Sequence, residues 1–140
     1  MVELETEIAE SNADDLEAIG YVTTPGVRGV LKRTAEFPNV NGRPIWTGGA
    51  AGGEVNGYAA MATNNVPSNL DKGSSVGVCH ALIFGAWSQL VIGEWGAIDI
   101  LVNPYTRAAE AMIEIHSYHL VAVALLQPAG FAAMQDALVQ

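Results

Sequence analysis

The sequence predicts an α+β fold, with two helices packed on a mixed β-sheet and one long strand lying outside it. Three observations support this prediction. Helix-like periodicity is concentrated near the N-terminus. From residue 39 onward, Asn, Gly, Pro and Thr punctuate short β-like runs. Near the C-terminus, the segment Ala111–Leu126 alternates apolar and polar residues with the period of a strand.

Both helices are predicted before residue 35. Residues 3–17 form an amphipathic pattern, with apolar residues along one stripe and acidic residues on the other side. A short strand is predicted at Ile19–Thr23. Pro25 suits the first turn of the second helix, over Val27–Thr34, because the N–H that proline lacks would be unpaired there.

The middle of the chain predicts sheet and loops. The glycine-rich segment Gly48–Gly53 predicts a hairpin with a flexible tip, because β-like runs flank it at Ile45–Thr47 and Val55–Ala62. The polar stretch Asn64–Gly77 predicts a loop. Three further strands are predicted after this loop, at Val78–Phe84, Gln89–Glu94 and Ala97–Val102.

Composition narrows the classes of function. The net charge is −9, and residues 1–17 carry seven acids and no base. An acidic chain without clustered Lys and Arg lacks the electrostatic basis for direct binding of nucleic acid. The longest apolar run, Leu120–Leu126, is far shorter than a bilayer-spanning helix, so no membrane partner is expected. The single cysteine, Cys79, excludes an internal disulfide and suits a reducing cytoplasm.

No group of residues predicts a reaction. The Gly48–Gly53 loop runs into a β-like segment and is not followed by a Lys-Ser/Thr pair, which argues against a phosphate-binding loop. Cys79 and His80 are neighbours on a predicted strand and point to opposite faces, so Cys79 is expected to be a small buried hydrophobe. His116 and His119 also fall on opposite faces of a strand. We therefore expect no catalytic residue, no metal site and no cofactor.

The order of motifs between residues 56 and 131 resembles the C-terminal half of the major capsid proteins of tailed bacteriophages. A Gly-aromatic strand, an Asn-Val-Pro loop, a Phe-Gly-x-aromatic-Ser segment, an Ile-Gly-x-Trp-Gly segment, a Pro-Tyr-Thr turn and a closing Pro-Ala-x-Phe follow in the family's order. The matching residues are Gly57, Tyr58, Asn65, Val66, Pro67, Phe84, Gly85, Trp87, Ser88, Ile92, Gly93, Trp95, Gly96, Ile100, Val102, Pro104, Tyr105, Thr106, Pro128, Ala129 and Phe131. Upstream, Ala18–Thr34 resembles the family's strand that leads into a helix begun by proline.

This resemblance implies a structural subunit of a phage or prophage icosahedral shell, and not an enzyme. Its partners would be copies of itself or the full-length capsid protein, in the virion and, during assembly, in the bacterial cytoplasm. Family members are longer, so the chain would be a C-terminal fragment without the N-terminal arm, the extended hairpin loop and the long spine helix. Residues 18–104 would form the axial lobe, with residues 1–17 and 105–140 as parts of the peripheral lobe. Large aromatic residues of the motifs are expected to anchor the sheet core: Phe84, Trp87, Trp95 and Tyr105.

Three other interpretations stay open on the sequence alone. Encapsulin compartments share the same fold, and an encapsulin-like shell protein would need a cargo-binding surface. A small cytoplasmic enzyme or ligand-binding domain would use the Gly-rich loop and Cys79. A retained fragment that interferes with assembly would offer a full-length capsid protein a matching edge with no arm to continue the lattice.

Two regions are candidates for contact between subunits. Loops of the family's axial lobe gather around the capsomer axis, which makes the loop residues Gly48, Gly49, Gly52, Gly53, Asn64 and Asn65 candidates. As one strand, Ala111–Leu126 would reach about 50 Å, beyond a compact domain with a radius of gyration of ~14 Å. Without the spine helix its apolar residues would lose cover, namely Ile113, Ile115, Val121, Val123 and Leu125. We expect self-association through this segment, by strand pairing or by exchange between copies, unless it bends near Ser117 and folds back.

The composition of two loops predicts fast backbone opening. Gly48–Gly53 and Asn64–Gly77 have few apolar anchors, so we expect their amide hydrogens to exchange early in the monomer. Hydrogen exchange with mass spectrometry measures this, with Val78–Phe84 as the slowly exchanging reference. Strong protection of both loops would contradict the prediction.

Overall fold

The computed structural model describes residues 1–13, 17–37 and 42–139, and the chain divides into two compact units. The first unit contains residues 1–89 and 127–140, and its described part is a mixed sheet with two helices. The second unit, residues 90–126, is a two-stranded antiparallel ribbon. This architecture confirms the predicted α+β class.

The first helix, α1, spans Val2–Glu10 and is shorter than the predicted helix over residues 3–17. It ends because Asn12 adopts a left-handed backbone conformation, with a φ of 50°. The N–H of Ala13 then donates to the carbonyl five residues earlier at 3.2 Å, which closes the last turn. Positions 14–16 of the predicted helix lie outside the described residues.

The second helix, α2, spans Pro25–Arg33 and begins at the proline, as predicted. Thr24 caps it, because its hydroxyl oxygen accepts a hydrogen bond from the N–H of Val27 at 3.3 Å. The same oxygen lies 2.7 Å from Nδ1 of His80, so the cap also ties the helix to the sheet.

Nine strands complete the described part of the chain. Seven form one sheet: β1 (Ile19–Thr23), β2 (Trp46–Gly48), β3 (Gly53–Val55), β4 (Tyr58–Ala62), β5 (Leu70–Lys72), β6 (Ser75–Ala86) and β9 (Phe131–Leu138). Their order is β2-β3-β4-β1-β6-β5, and β9 also pairs with β6. Only β1 and β4 run parallel among these described pairs, so the sheet is mixed. The ribbon of the second unit consists of β7 (Leu90–Asn103) and β8 (Glu114–Leu125).

The prediction of one strand over Val55–Ala62 is wrong. This stretch forms two strands, β3 and β4, joined by a tight turn at Asn56 and Gly57. Both turn residues have positive φ, 52° and 87°, which is the conformation that an Asn-Gly pair favours in a two-residue hairpin. The Asn-Gly dipeptide was therefore the available signal for this turn.

Other boundaries also differ from the predictions. The predicted loop Asn64–Gly77 contains β5 and the first residues of β6, because these two strands form a hairpin. The predicted strands Gln89–Glu94 and Ala97–Val102 are one strand, β7, with an irregularity between Trp95 and Asp99. The hairpin that flanks Gly48–Gly53 is confirmed as β2–β3.

The core of the first unit lies on one face of the sheet. Tyr21 on β1 pairs with Phe84 on β6, and both side chains are almost fully buried. Their ring centroids are 4.4 Å apart, and Tyr58 packs edge-on against both rings. Helix α1 covers this cluster with Leu4 and Ile8, which are 7% and 1% exposed. Three acidic residues of α1 stay exposed to solvent, namely Glu3, Glu7 and Glu10.

A glycine on the opposite face makes room for an aromatic ring. Gly85 pairs with Phe131 across β6 and β9, and a Cβ atom at Gly85 would lie only 2.2 Å from the Phe131 ring. This ring also packs edge-on against Trp87, with the centroids 5.5 Å apart. The Phe-Gly-x-Trp segment therefore places one aromatic residue in the core and one on the other face of the sheet.

We expect Gly85→Ala to destabilise the protein by about 1–3 kcal/mol, because the added methyl group overpacks against Phe131. The matched control is Gly29→Ala in α2, where a Cβ meets no atom within 4 Å and stability should rise by about 0.5–1 kcal/mol. Urea unfolding measures both changes. In a Phe131→Ala background the cost of Gly85→Ala should disappear, and an unchanged cost would refute the proposed contact.

Candidate subunit-contact surfaces

The β7–β8 ribbon exposes large apolar side chains on both of its faces. Its ladder runs from the Leu90–Leu125 pair to the Asn103–Glu114 pair, with a shift between Trp95 and Asp99. Between these points β7 has two residues more than β8, which is a β-bulge, and Gly96 within it has a φ of 75°. Every residue of the ribbon strands is exposed or only partly buried in the described chain.

The predicted contact residues of the long strand lie on this ribbon. Ile115, Val121 and Val123 belong to β8 and are at least half exposed, and Ile113 lies just before the strand. The strand is continuous through Ser117, which pairs with Ile100 of β7, and the β-bulge of β7 lies opposite the neighbouring residue His119. One edge of β8 is already occupied by β7, and self-association stays a prediction.

Two of the predicted core aromatics are not in the core. Trp95 is 60% exposed and Tyr105 is 85% exposed, whereas Phe84 is buried and Trp87 is partly buried. Trp95 lies on the ribbon, where its ring packs over Gly93, and a two-stranded ribbon has no second layer of its own to bury it. The prediction that all four anchor one core is therefore wrong for these two residues.

The Pro-Tyr-Thr motif forms a turn that follows β7. The side-chain oxygen of Asn103 accepts hydrogen bonds from the N–H groups of Tyr105 at 3.0 Å and Thr106 at 3.4 Å. This pattern is an Asx turn, in which a side chain imitates the backbone of a turn, and Pro104 occupies a position that needs no N–H. The residues of this motif thus form the turn that ends β7 of the ribbon.

The glycine-rich tip between β2 and β3 is held in place by Trp46. The indole N–H of Trp46 donates to the carbonyl of Gly49 at 3.1 Å, and the N–H of Ala62 donates to the carbonyl of Ala50 at 2.8 Å. A Cβ at Gly53 would lie 2.5 Å from the Trp46 ring, so this glycine is buried beneath the indole. Three other candidate glycines of the tip are exposed, namely Gly48, Gly49 and Gly52. Their contact with neighbours stays a prediction.

The second candidate loop also has an anchored part. Asn64 and Asn65 are exposed, and the N–H of Asn65 donates to the Thr63 hydroxyl at 3.3 Å. The next residue, Val66, is buried, and the carbonyl of Pro67 accepts from the N–H of a β6 residue at 3.0 Å. The two asparagines therefore lie at the surface directly before a segment, Val66 and Pro67, that is anchored to the sheet.

An open apolar groove of about 460 Å³ lies beside the glycine-rich tip. Its lining includes Ala51 and Gly52 of the tip together with Met61 and Trp87. Met61 and its neighbour Val22 lie on the sheet face opposite the Tyr21–Phe84 cluster. The groove contains almost no polar groups, so it resembles a contact surface more than a site for a charged small molecule.

Titratable and nucleophilic residues are dispersed over the described ranges. Cys79 is buried, as predicted, and the neighbouring His80 bonds to Thr24. His116 lies 3.5 Å from the Glu114 carboxylate and stacks on Tyr118. No group of three or more His, Cys, Asp or Glu residues has metal-binding geometry within these ranges. Neither described helix is long and apolar enough to cross a membrane.

Helix α1 is fixed to the sheet by a buried phenol. The hydroxyl of Tyr21 donates a short hydrogen bond to Oε1 of Glu5, which also accepts from the Asn56 side-chain amide at 2.8 Å. Burial of the phenol, then the bond to Glu5 and the charge of that carboxylate, raise the pKa of Tyr21 well above its ordinary value of about 10. Tyr21 therefore stays neutral in the folded protein.

Sequence reasoning missed the residues that organise this site. Tyr21 and Trp46 are each 1% exposed, yet neither was among the predicted aromatic anchors. Both lie on short strands, of five and three residues, which give too little periodicity to show which side chain points inward. The Asn56–Gly57 dipeptide was the one local signal that pointed to this corner of the fold.

Comparison with known proteins identifies related chains. A family model described as the phage capsid family matches residues 4–136. The major capsid protein of Halomonas phage phiHAP-1 is 35% identical over 108 residues, which are 77% of this chain and 15% of that protein. A solved capsid of an empty GTA particle superposes with a TM-score of 0.58 at 16% identity, covering 93% of this chain and 42% of that one. The chain thus spans less than half the length of either relative, and the superposition confirms the predicted capsid-like fold.

We expect Tyr21→Phe to flatten the dependence of stability on alkaline pH. The folded-state pKa of Tyr21 lies above the unfolded value of about 10, so its contribution is complete below about pH 10 and falls as the pH rises further. The wild type should lose up to about 1.4 kcal/mol per pH unit more than the variant in that range. Urea unfolding between about pH 9 and about pH 11 measures the difference, and parallel curves would contradict it.

Proposed function

This chain belongs to the phage capsid family, and from that membership we propose that it forms the C-terminal part of a shell subunit of a phage or prophage capsid. The subunit acts through contacts with its neighbours and not through chemistry on a substrate. The observation that carries this proposal is the β7–β8 ribbon, whose two faces expose large apolar side chains. Such a surface belongs against protein, because monomeric proteins rarely leave extended apolar patches in water.

The distribution of motifs supports the same role. The motifs fall into two groups, one building the sheet core around Tyr58 and Phe84 and the other building the ribbon with Trp95 and Tyr105. In a substrate site, by contrast, side chains with shifted pKa values are expected to lie close together in one cleft. In the described residues, the one resolved pKa shift belongs to Tyr21, which is occupied in fixing α1.

The proposal assigns residues 18–104 to an axial lobe, and residues 1–17 and 105–140 to parts of a peripheral lobe. The glycine-rich tip and the loop with Asn64 and Asn65 then face other copies around a capsomer axis, and the ribbon contacts further segments of the shell. Its partners are copies of itself or the full-length capsid protein, with no direct contact to nucleic acid. The subunit is located in the virion and, before assembly, in the bacterial cytoplasm.

We expect DNA-containing particles, purified from induced source cells and treated with nuclease, to contain this sequence in the main shell band. Trypsin cleaves after Lys72 and Arg107, so peptide 73–107 and the peptide that begins at residue 108 report on β6, the ribbon and β9. Mass spectrometry of the excised band measures them, and uninduced cells processed in the same way are the control. Particles with a complete shell but without these peptides would refute the proposal.

A further inference from the structure

One face of the ribbon is mainly aliphatic. Paired residues of an antiparallel ladder share a face, and alternate residues of β8 share it too, so the register defines this surface. We call it the aliphatic face, and its apolar members are Leu90, Ile92, Ile100, Val102, Ile115, Val121, Val123 and Leu125. The other face, which we call the mixed face, carries the apolar or aromatic residues Val91, Trp95, Leu101, Tyr118 and Leu120 together with the polar residues Asp99, Glu114 and His116.

The aliphatic face lacks a cover within the described chain. Ile115, Ile100 and Val123 are 69%, 66% and 63% exposed. A two-stranded ribbon is only marginally stable in water unless a further strand or layer packs on it. A second layer on this face is therefore needed for the ribbon to be well ordered.

We propose that in solution a second copy of this chain supplies that layer, with the aliphatic faces of two ribbons packed against each other about a two-fold axis. This inference concerns the second unit by itself and does not depend on the capsid role. Packing face to face is the arrangement of a small β-sandwich, in which two layers lie about 10 Å apart and their side chains interdigitate.

The area of the face fits such a dimer. Eight aliphatic side chains of this exposure offer on the order of 700 Å² per copy, close to the ~800 Å² that each partner buries in a standard interface. Pairing through the free edge of β8 would add backbone hydrogen bonds but leave this area in water. Face-to-face packing is therefore favoured over edge pairing.

The polar groups of the aliphatic face are self-complementary. Glu94 and His119 lie near the middle of the ladder on this face, with the Ile92–Val123 pair on one side and the Ile100–Ser117 and Val102–Ile115 pairs on the other. Neither forms an ion pair or hydrogen bond within the described chain. A two-fold axis through this region brings Glu94 of one copy within side-chain reach of His119 of the second copy. The other charged or titratable strand residues of the ribbon, Asp99, Glu114, His116 and Tyr118, lie on the mixed face.

A face-specific pair of variants tests the proposal. Val123→Lys and Leu120→Lys place the same charge three residues apart on β8, at positions 63% and 70% exposed on opposite faces. Sedimentation velocity of the complete chain at about 1–100 μM should show a reversible dimer that Val123→Lys weakens at least tenfold and Leu120→Lys leaves within about threefold. A monomeric wild type, or equal effects of both variants, would overturn the proposal.

A charge reversal tests the central contact without altering the aliphatic residues. His119→Glu places two carboxylates together across the two-fold axis and should weaken the dimer at least tenfold. Adding Glu94→Lys restores an opposite-charge pair and should return the dissociation constant to within about threefold of the wild type. A double variant as weak as His119→Glu alone would exclude this geometry. Unchanged near-ultraviolet circular dichroism from the Tyr21–Phe84 cluster verifies that the first unit is folded in each variant.

Discussion

The contact between Tyr21 and Phe84 is the interaction on which the first unit depends. These rings lie on adjacent strands in the middle of the sheet, and they are the surface that α1 covers with Leu4 and Ile8. Burial of such side chains contributes roughly 1.5–3 kcal/mol each, more than any exposed ion pair of this chain can supply. The hydroxyl of Tyr21 adds direction to this packing, because its bond to Glu5 fixes the position of the helix. Hydrophobic burial and one buried hydrogen bond thus act on the same residue.

Glycine residues make room for an aromatic ring on each face of the sheet. Gly85 admits the Phe131 ring on the face away from α1, and Gly53 admits the Trp46 indole on the core face. The first of these contacts joins β9 to the centre of the sheet, so the C-terminal strand is fixed by a side chain as well as by its ladder. The open groove beside the glycine-rich tip lies on the Phe131 side, where the described chain provides no helix as cover. An apolar groove on an uncovered sheet face fits the proposed role in a shell, where neighbouring subunits would cover it.

The ribbon obeys a different constraint. Its two strands form backbone hydrogen bonds with each other. Its backbone geometry is therefore defined locally by the ladder, the bulge at Gly96 and the Asx turn at Asn103. Its side chains cannot be buried within the ribbon, because two strands alone cannot cover both of its faces. Secondary structure is therefore complete in this unit while tertiary packing is not, and this exposed apolar surface is the basis of the proposed association.

The sequence by itself determined the class of fold, the capsid resemblance, the proline-started helix, the hairpin around the glycine-rich tip and the apolar character of the long strand. These features depend on local composition and periodicity, which act over a few neighbouring residues. Tertiary structure alone decided that Tyr21 and Trp46 are core residues, that Trp95 and Tyr105 are exposed, and that β7 is the partner of β8. An aromatic residue has the same local pattern whether or not a second layer reaches it. Burial and strand pairing are set by contacts between separate segments, even where a connection of only ten residues joins them as it joins β7 to β8, and for that physical reason the pattern within one segment could not specify them.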